Sequence, residues 1–213
     1  MKNTILFDLD GTLLDTLKDL TLSINYMLKA YNHKERTEVE IRSFLGNGAL
    51  RLVELAIGEK LKEEDLLEHY NYYDAYYEAH KMDHTGPYDG ILDVLETLKK
   101  KGYKLGVISN KQDQATKGLV AEIFKDTFDY ALGVKNDGIK KPDRQMVDEC
   151  LKALGSKPEE AYLVGDSEVD IQTGKNAGVL VIACLWGFRD MKDIAPLNPE
   201  FIIGKPTDLL KII

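Results

Sequence analysis

The chain has 213 residues, is 44% hydrophobic and 30% charged, and carries a formal net charge of -8. That length suits a core domain with a small accessory domain, and the hydrophobic share is ordinary for a soluble globular protein with a buried core. The acidic balance, with no basic run beyond Lys99 to Lys101, argues against a nucleic-acid or membrane-surface footprint and points to small-molecule partners, with a monomer or homodimer expected.

The first predicted strand, TILFDL (4–9), follows Met-Lys-Asn directly. No signal-peptide apolar region precedes it, and no apolar run approaches the roughly eighteen residues of a membrane span, so a cytoplasmic protein is expected. From Thr16 to Thr85 only helical patterns follow: LKDLTLSINYMLKAY (17–31), ALRLVELAIG (49–58) and EEDLLEHYNYYDAYYEAH (63–80). The turn-rich GPYDG (86–90) ends that stretch. Helical and strand patterns then alternate: LDVLETLKKKG (92–102), YKLGVISN (103–110), QATKGLVAEIF (114–124), DYALGV (129–134), QMVDECLKALG (145–155), AYLVGD (161–166), VDIQTGKNAG (169–178), VLVIACL (179–185) and EFIIG (200–204). Such alternation with near-continuous apolar strands predicts an α/β fold, a doubly wound, Rossmann-like parallel sheet over 1–15 and 86–213. The strand-free stretch, 16–85, is expected to be a small all-helical cap domain inserted after the first strand, placed to cover the acids at its end.

Several features have structural readings. Cys150 and Cys184 lie in apolar patterns without metal or disulfide spacing and are expected to be small buried hydrophobes. His80 and His84 stand four apart, yet Gly86-Pro87 ends the helix there, so they read as a surface pair rather than metal ligands. Tyr70, Tyr73 and Tyr77, with Tyr72 and Tyr76 on a neighbouring line, read as packing within the helical domain. Gly46-Asn47-Gly48 is not a dinucleotide fingerprint, because Arg51 stands where the third glycine belongs and no strand precedes it.

Ligands of open parallel sheets bind beyond the carboxyl ends of the strands. Those ends hold Asp8, Asp10 and Gly11, then Ser109 and Asn110, then Gly165, Asp166 and Ser167, while the loop Gly138 to Asp143 carries Lys140 and Lys141 before a proline. Carboxylates, a hydroxyl, an amide and an ammonium together suit a phosphoryl group bound through a hard divalent cation such as Mg²⁺; without soft ligands or a histidine cluster, zinc is disfavoured. Lys141 would place a positive point charge on the phosphoryl oxygens, with Ser109 donating to them. Side chains two apart in an extended segment share a face, so Asp8 and Asp10 can address one phosphorus atom, and Gly11 allows the turn away. One carboxylate can be a covalent nucleophile while a second moves protons. Alone, a DxDG after a strand is more often a turn with solvated acids than a nucleophile, and Ser109-Asn110 would also cap a helix starting near Lys111.

Asp8-Leu9-Asp10-Gly11-Thr12-Leu13, Ser109-Asn110-Lys111, Lys141-Pro142 and Gly165-Asp166-Ser167-Glu168-Val169-Asp170, in this order, resemble the motifs of the haloacid-dehalogenase superfamily over the whole chain. The resemblance implies Asp8 as nucleophile and Asp10 as general acid/base. It implies phosphate binding by Ser109, Asn110 and Lys141 with Gly11 and Thr12. Mg²⁺ would be held by Asp8, the Asp10 main-chain carbonyl and Asp166, with Asp170 in or near the shell behind. An intact DxDGT favours phosphoester chemistry over dehalogenation. IRSFLGNGALRLVELAIG (41–58), PYDGILDVLETLKKKGYKLGVISNK (87–111), VGDSEVDIQTGKNAGV (164–179) and WGFR (186–189) are most similar to the phosphoglycolate-phosphatase group, which makes Arg42, Asn47 and Arg51 candidates for a substrate carboxylate. Arg144 stands where relatives often have a second proline, leaving both Lys140 and Lys141 open as the inward lysine, with Lys141 preferred; Ser109 replaces a common threonine but keeps the hydroxyl. The expected function is a Mg²⁺-dependent phosphatase of a small phosphorylated metabolite, phosphoglycolate first, acting through an aspartyl-phosphate. A pyrophosphatase, a nucleotide phosphatase or a phosphosugar mutase on the same scaffold is the alternative.

Overall fold

The computed structural model describes residues 2–213. They divide into two compact units, one formed by Asp15–Gly86 and the other by the remaining described residues.

The first strand, β1 (Thr4–Phe7), is buried along its whole length, as a strand covered on both faces must be. A two-residue strand, β2 (Leu14–Asp15), and its partner β3 (Gly86–Pro87) form a ribbon where the chain passes into and out of the inserted unit. Between them lie α1 (Leu17–Ala30), α2 (Glu38–Phe44), α3 (Ala49–Ile57) and α4 (Glu63–His80). Sequence periodicity misses α2 because its seven residues bury only Ile41. Its usable signal is a capping box: the Thr37 hydroxyl accepts the Glu40 N–H at 3.3 Å, and the Glu40 carboxylate accepts the Thr37 N–H at 2.8 Å.

The tyrosine stripe on α4 is packing, as expected. Tyr73 and Tyr77 are buried and stack at 5.8 Å, while Tyr72 and Tyr76 stack on Tyr26 of α1 at 5.5 and 3.9 Å. The two histidines do not share a helix face either. His80 ends α4 and pairs with Asp83 at 2.8 Å, whereas His84 lies 3.0 Å from Asp19. Asp19 is buried on α1, and its Oδ2 also accepts the N–H groups of His84 and Thr85 at 3.0 and 2.8 Å, tying the exit segment to the start of the unit.

The other unit continues through α5 (Ile91–Lys100), β4 (Lys104–Gln112), α6 (Asp113–Leu119), β5 (Tyr130–Val134), α7 (Gln145–Leu154), β6 (Ala161–Gly165), α8 (Glu168–Ala177), β7 (Leu180–Cys184), α9 (Met191–Ile194) and β8 (Phe201–Ile203). Its six-stranded parallel sheet has the order β5-β4-β1-β6-β7-β8. Alternate β1 side chains enter opposite layers: Ile5 and Phe7 pack with Ile91, Leu95 and Leu98 of α5, while Leu6 packs with Met146, Val147 and Cys150 of α7. Cys150 and Cys184 are buried and free, in keeping with the hydrophobe reading. Among the described residues, no helix is long and apolar enough to cross a membrane.

Register decides what meets at the sheet edge. Phe7 pairs with Val107 on one side and Val164 on the other, so Asp8, Ser109 and Asp166 follow at neighbouring strand ends. The order reverses around β1 and β6, which opens the crevice used by ligands in this architecture. One expectation is corrected: β4 runs on to Gln112, paired with Val134 after an irregularity, and α6 starts at Asp113. Ser109 and Asn110 therefore cap no helix; Ser109 Oγ accepts the Lys111 N–H at 3.1 Å within the strand.

Candidate active site

Asp8 is still held in the sheet, its N–H donating to the Val164 carbonyl at 2.9 Å. The chain then turns sharply. The Leu13 and Leu14 N–H groups return to the Leu9 carbonyl at 3.0 Å, and Gly11 takes φ +90°, a left-handed conformation in which a side chain is strained. A Cβ on Gly11 would also stand 2.6 Å from Asp166 Oδ2. The turn thus brings the DxDG backbone against the carboxylate that ends β6.

Three buried carboxylates converge there. Asp8, Asp166 and Asp170 each offer an oxygen within 4.8 Å of the others. The Lys141 ammonium, 3% exposed, donates to Asp8 Oδ1 and Asp170 Oδ1 at 2.6 Å each. Asp170 Oδ2 accepts the Ser167 N–H at 3.1 Å and its hydroxyl at 2.6 Å, a capping box opening α8. Asp166 accepts the Thr12 hydroxyl at 3.2 Å and the Phe188 N–H at 2.7 Å. Lys140 is exposed, so the choice between the two lysines falls on Lys141.

The charges do not balance. Burial first, then the Asp170 charge, pushes Asp8 well above the usual carboxylate range despite Lys141. Burial and the Asp170 charge also push Asp166 up to about 7, against the Phe188 N–H and Lys141. Burial opposes the charge on Lys141, but Asp170 and Asp8 outweigh it and hold the ammonium above the ordinary lysine value. With all three carboxylates ionised, the one lysine leaves an excess of two negative charges, which a divalent cation would cancel. The donors are hard oxygens, and the one nearby sulfur, Cys184, is kept a neutral thiol by burial. The cluster therefore fits Mg²⁺ rather than a soft metal.

Not every residue of the motifs stands where the sequence places it. The Asp10 carboxylate, expected to move protons while its main-chain carbonyl holds the metal, lies outside the triad and pairs with Lys111 Nζ at 3.1 Å. Asp170, expected behind the metal, belongs to the triad, although both its oxygens already accept hydrogen bonds. The Thr12 side chain is buried against Asp166 rather than presented to a phosphate. The Asn110 side chain clamps the main chain of Lys141, accepting its N–H at 2.8 Å and donating to its carbonyl at 3.1 Å. Ser109 is buried at the end of the strand core. In the inserted unit, Arg51 pairs with Glu54 at 2.5 Å along α3, and Gly48 starts that helix at φ +88°.

Sequence reasoning assigned no role to Lys111, Gly187 or Phe188. The available signals were the Ser109-Asn110-Lys111 motif for the lysine and the WGFR stretch for the other two. Trp186 Nε1 donates to the Thr12 carbonyl at 3.0 Å, and a Cβ on Gly187 would stand 2.2 Å from the Gly11 carbonyl and 2.5 Å from Asp166. Gly187→Ala is accordingly expected to cost about 1–3 kcal/mol by overpacking and to lower turnover roughly tenfold by displacing Asp166. Urea unfolding and steady-state kinetics check this; unchanged turnover would show that the loop does not position Asp166.

A family model described as haloacid dehalogenase-like hydrolase matches residues 5–184. A phosphoglycolate phosphatase of Aquifex aeolicus is 35% identical over 210 residues, covering 98% of this chain and 95% of its own. Pyrophosphatase PpaX of Bacillus cereus is 31% identical over 212 residues, with 99% and 96% covered. A crystal structure of a candidate phosphoglycolate phosphatase from Lactobacillus delbrueckii subsp. bulgaricus superposes with a TM-score of 0.93 at 33% identity, covering 100% of this chain and 99% of that one.

Proposed function

The chain belongs to the haloacid dehalogenase-like hydrolase family and is a phosphatase; from that premise we propose that it is a Mg²⁺-dependent enzyme that hydrolyses a small phosphorylated metabolite, phosphoglycolate first, through an aspartyl-phosphate on Asp8. The observation that supports this best is the Lys141 ammonium held 2.6 Å from both Asp8 and Asp170 inside a buried triad of carboxylates.

In this reading Asp8 and Asp166 would hold Mg²⁺ together with the main-chain carbonyl of Asp10, while Asp170 fixes Lys141 beside them. The bound cation supplies charge that draws electron density from the phosphoryl oxygens. An Asp8 oxygen attacks phosphorus, the bond from phosphorus to the leaving oxygen breaks, and Asp10 gives that oxygen a proton. Asp10 then takes a proton from water as the water oxygen attacks phosphorus, releasing phosphate and restoring the Asp8 carboxylate. Lys141 and the Ser109 hydroxyl neutralise and orient the phosphoryl oxygens. Asn110 acts by fixing the Lys141 backbone, and Thr12 by fixing Asp166.

The second reading, pyrophosphatase, is favoured by the PpaX relative. Phosphate release from phosphoglycolate, pyrophosphate, nucleotides and hexose phosphates decides between the two. With Mg²⁺ one of the first two is expected to be turned over fastest, and a chelator to abolish release. Release that persists in chelator, or none from any phosphoester, would defeat the proposal.

A further inference from the structure

Lys111 is the second lysine of the site, and it pairs with a different acid from those that hold Lys141. Lys141 is enclosed between Asp8 and Asp170. The Lys111 side chain, 9% exposed, reaches Asp10 Oδ1 at 3.1 Å. Its backbone is held within the extension of β4, the N–H donating to Ser109 Oγ at 3.1 Å and the carbonyl accepting the Thr116 hydroxyl at 3.4 Å. A lysine so anchored projects its charge from a rigid edge rather than from a mobile loop.

Asp10, in the function proposed above, touches the oxygen of the leaving group. Nζ is 3.1 Å from Asp10, and a proton-donating hydrogen bond from Asp10 to the leaving oxygen spans about 2.7 Å. With Oδ1 as the donating oxygen, the ammonium lies within about 6 Å of the leaving oxygen. A carboxylate one carbon beyond the leaving oxygen, or the second phosphoryl group of pyrophosphate, comes within ion-pair reach of such a charge. A neutral alcohol offers it nothing.

We propose that Lys111 is the specificity-determining residue that selects phosphoesters and phosphoanhydrides whose leaving group carries a negative charge next to the bridging oxygen. This deepens the phosphatase reading and rests on Asp10 serving as the acid. Lys141 serves the phosphoryl group common to every substrate, and Lys111 serves the part that differs.

The test compares phosphoglycolate with 2-hydroxyethyl phosphate, an analogue of the same length in which an alcohol replaces the carboxylate, using wild type, Lys111→Met and Lys111→Arg with Mg²⁺. Wild type is expected to favour phosphoglycolate in kcat/KM, and Lys111→Met to reduce that preference about 10- to 100-fold, the scale of one hydrogen bond between charged groups. Lys111→Arg is expected to retain most of it. An unchanged ratio in Lys111→Met, with both substrates slowed equally, would make Lys111 only a support for Asp10 and overturn the inference alone. A folded wild type that turns over neither these substrates nor pyrophosphate would instead overturn the phosphatase reading beneath it. Circular dichroism and thermal melting of the variants separate selectivity from folding.

Discussion

Asp8→Asn is expected to lower turnover by about 10⁴-fold or more, the scale of losing a covalent nucleophile, without loss of the fold. The carboxamide keeps the shape of the side chain but cannot form the acyl phosphate. The fold survives because Lys141 keeps its 2.6 Å pairing with Asp170, and Asp170 keeps both Ser167 hydrogen bonds. Asp8 is also a group whose charge is penalised by burial and by Asp170. Removing that charge relieves a repulsion, so the variant without metal is expected to melt at or above the wild-type temperature at pH 8. Phosphate release and thermal melting in parallel check both halves. Appreciable turnover by a folded Asp8→Asn protein would sink the covalent mechanism, and a collapsed fold would show that Asp8 is structural.

Lys141→Met should act in the opposite direction on stability. It removes the cation between two buried carboxylates and leaves them uncompensated, a loss of about 3–5 kcal/mol at pH 8 without metal. The pH dependence follows from Asp166, held up to about 7 in the folded protein against about 3.9 unfolded. Between those values the folded chain binds more protons than the unfolded chain, so stability falls as pH rises through the window. Asp8, raised in the same direction, adds to this fall. Without Lys141 both acids rise further, so the cost of the substitution is largest above the window and relieved below it as they protonate. Lys141 itself, raised above the ordinary lysine value, stays charged throughout this range; its contribution is whole below the ordinary lysine value and is lost as pH rises from there through its own raised value. Urea unfolding in chelator is expected to show the full loss at pH 8 and a clearly smaller one at pH 5.5. Equal losses at the two pH values would mean that packing of the lysine stem, not charge, sets the effect.

Much of this chain is legible locally. The six strands of the parallel sheet and seven of the helices follow periodicity and glycine or proline punctuation because their buried faces are long enough to repeat. The seven-residue α2, with Ile41 alone buried, has no repeat to read. The motifs at the strand ends were legible for a different reason: in a parallel sheet, residues that follow strands share one edge whatever the loops between them do. Side-chain type announced which groups could hydrogen-bond, but not with whom. Thr12 finds Asp166 across 154 residues, and Asn110 finds the Lys141 backbone across 31.

By itself, then, the sequence determined a parallel α/β sheet with a helical insertion and an acid-rich, lysine-bearing sheet edge, since hydrophobic periodicity and the alternation of strand and helix are patterns a few residues long. Only the tertiary structure decided that Lys141 and not Lys140 is enclosed by carboxylates, that Asp170 joins Asp8 and Asp166, that Asp10 meets Lys111, and that Gly187 and the Phe188 N–H brace Asp166. Those outcomes turn on differences of a few ångströms between segments distant in the chain. The register of β1 between β4 and β6 and the tight turn at Gly11 set these distances, and local propensity does not encode them.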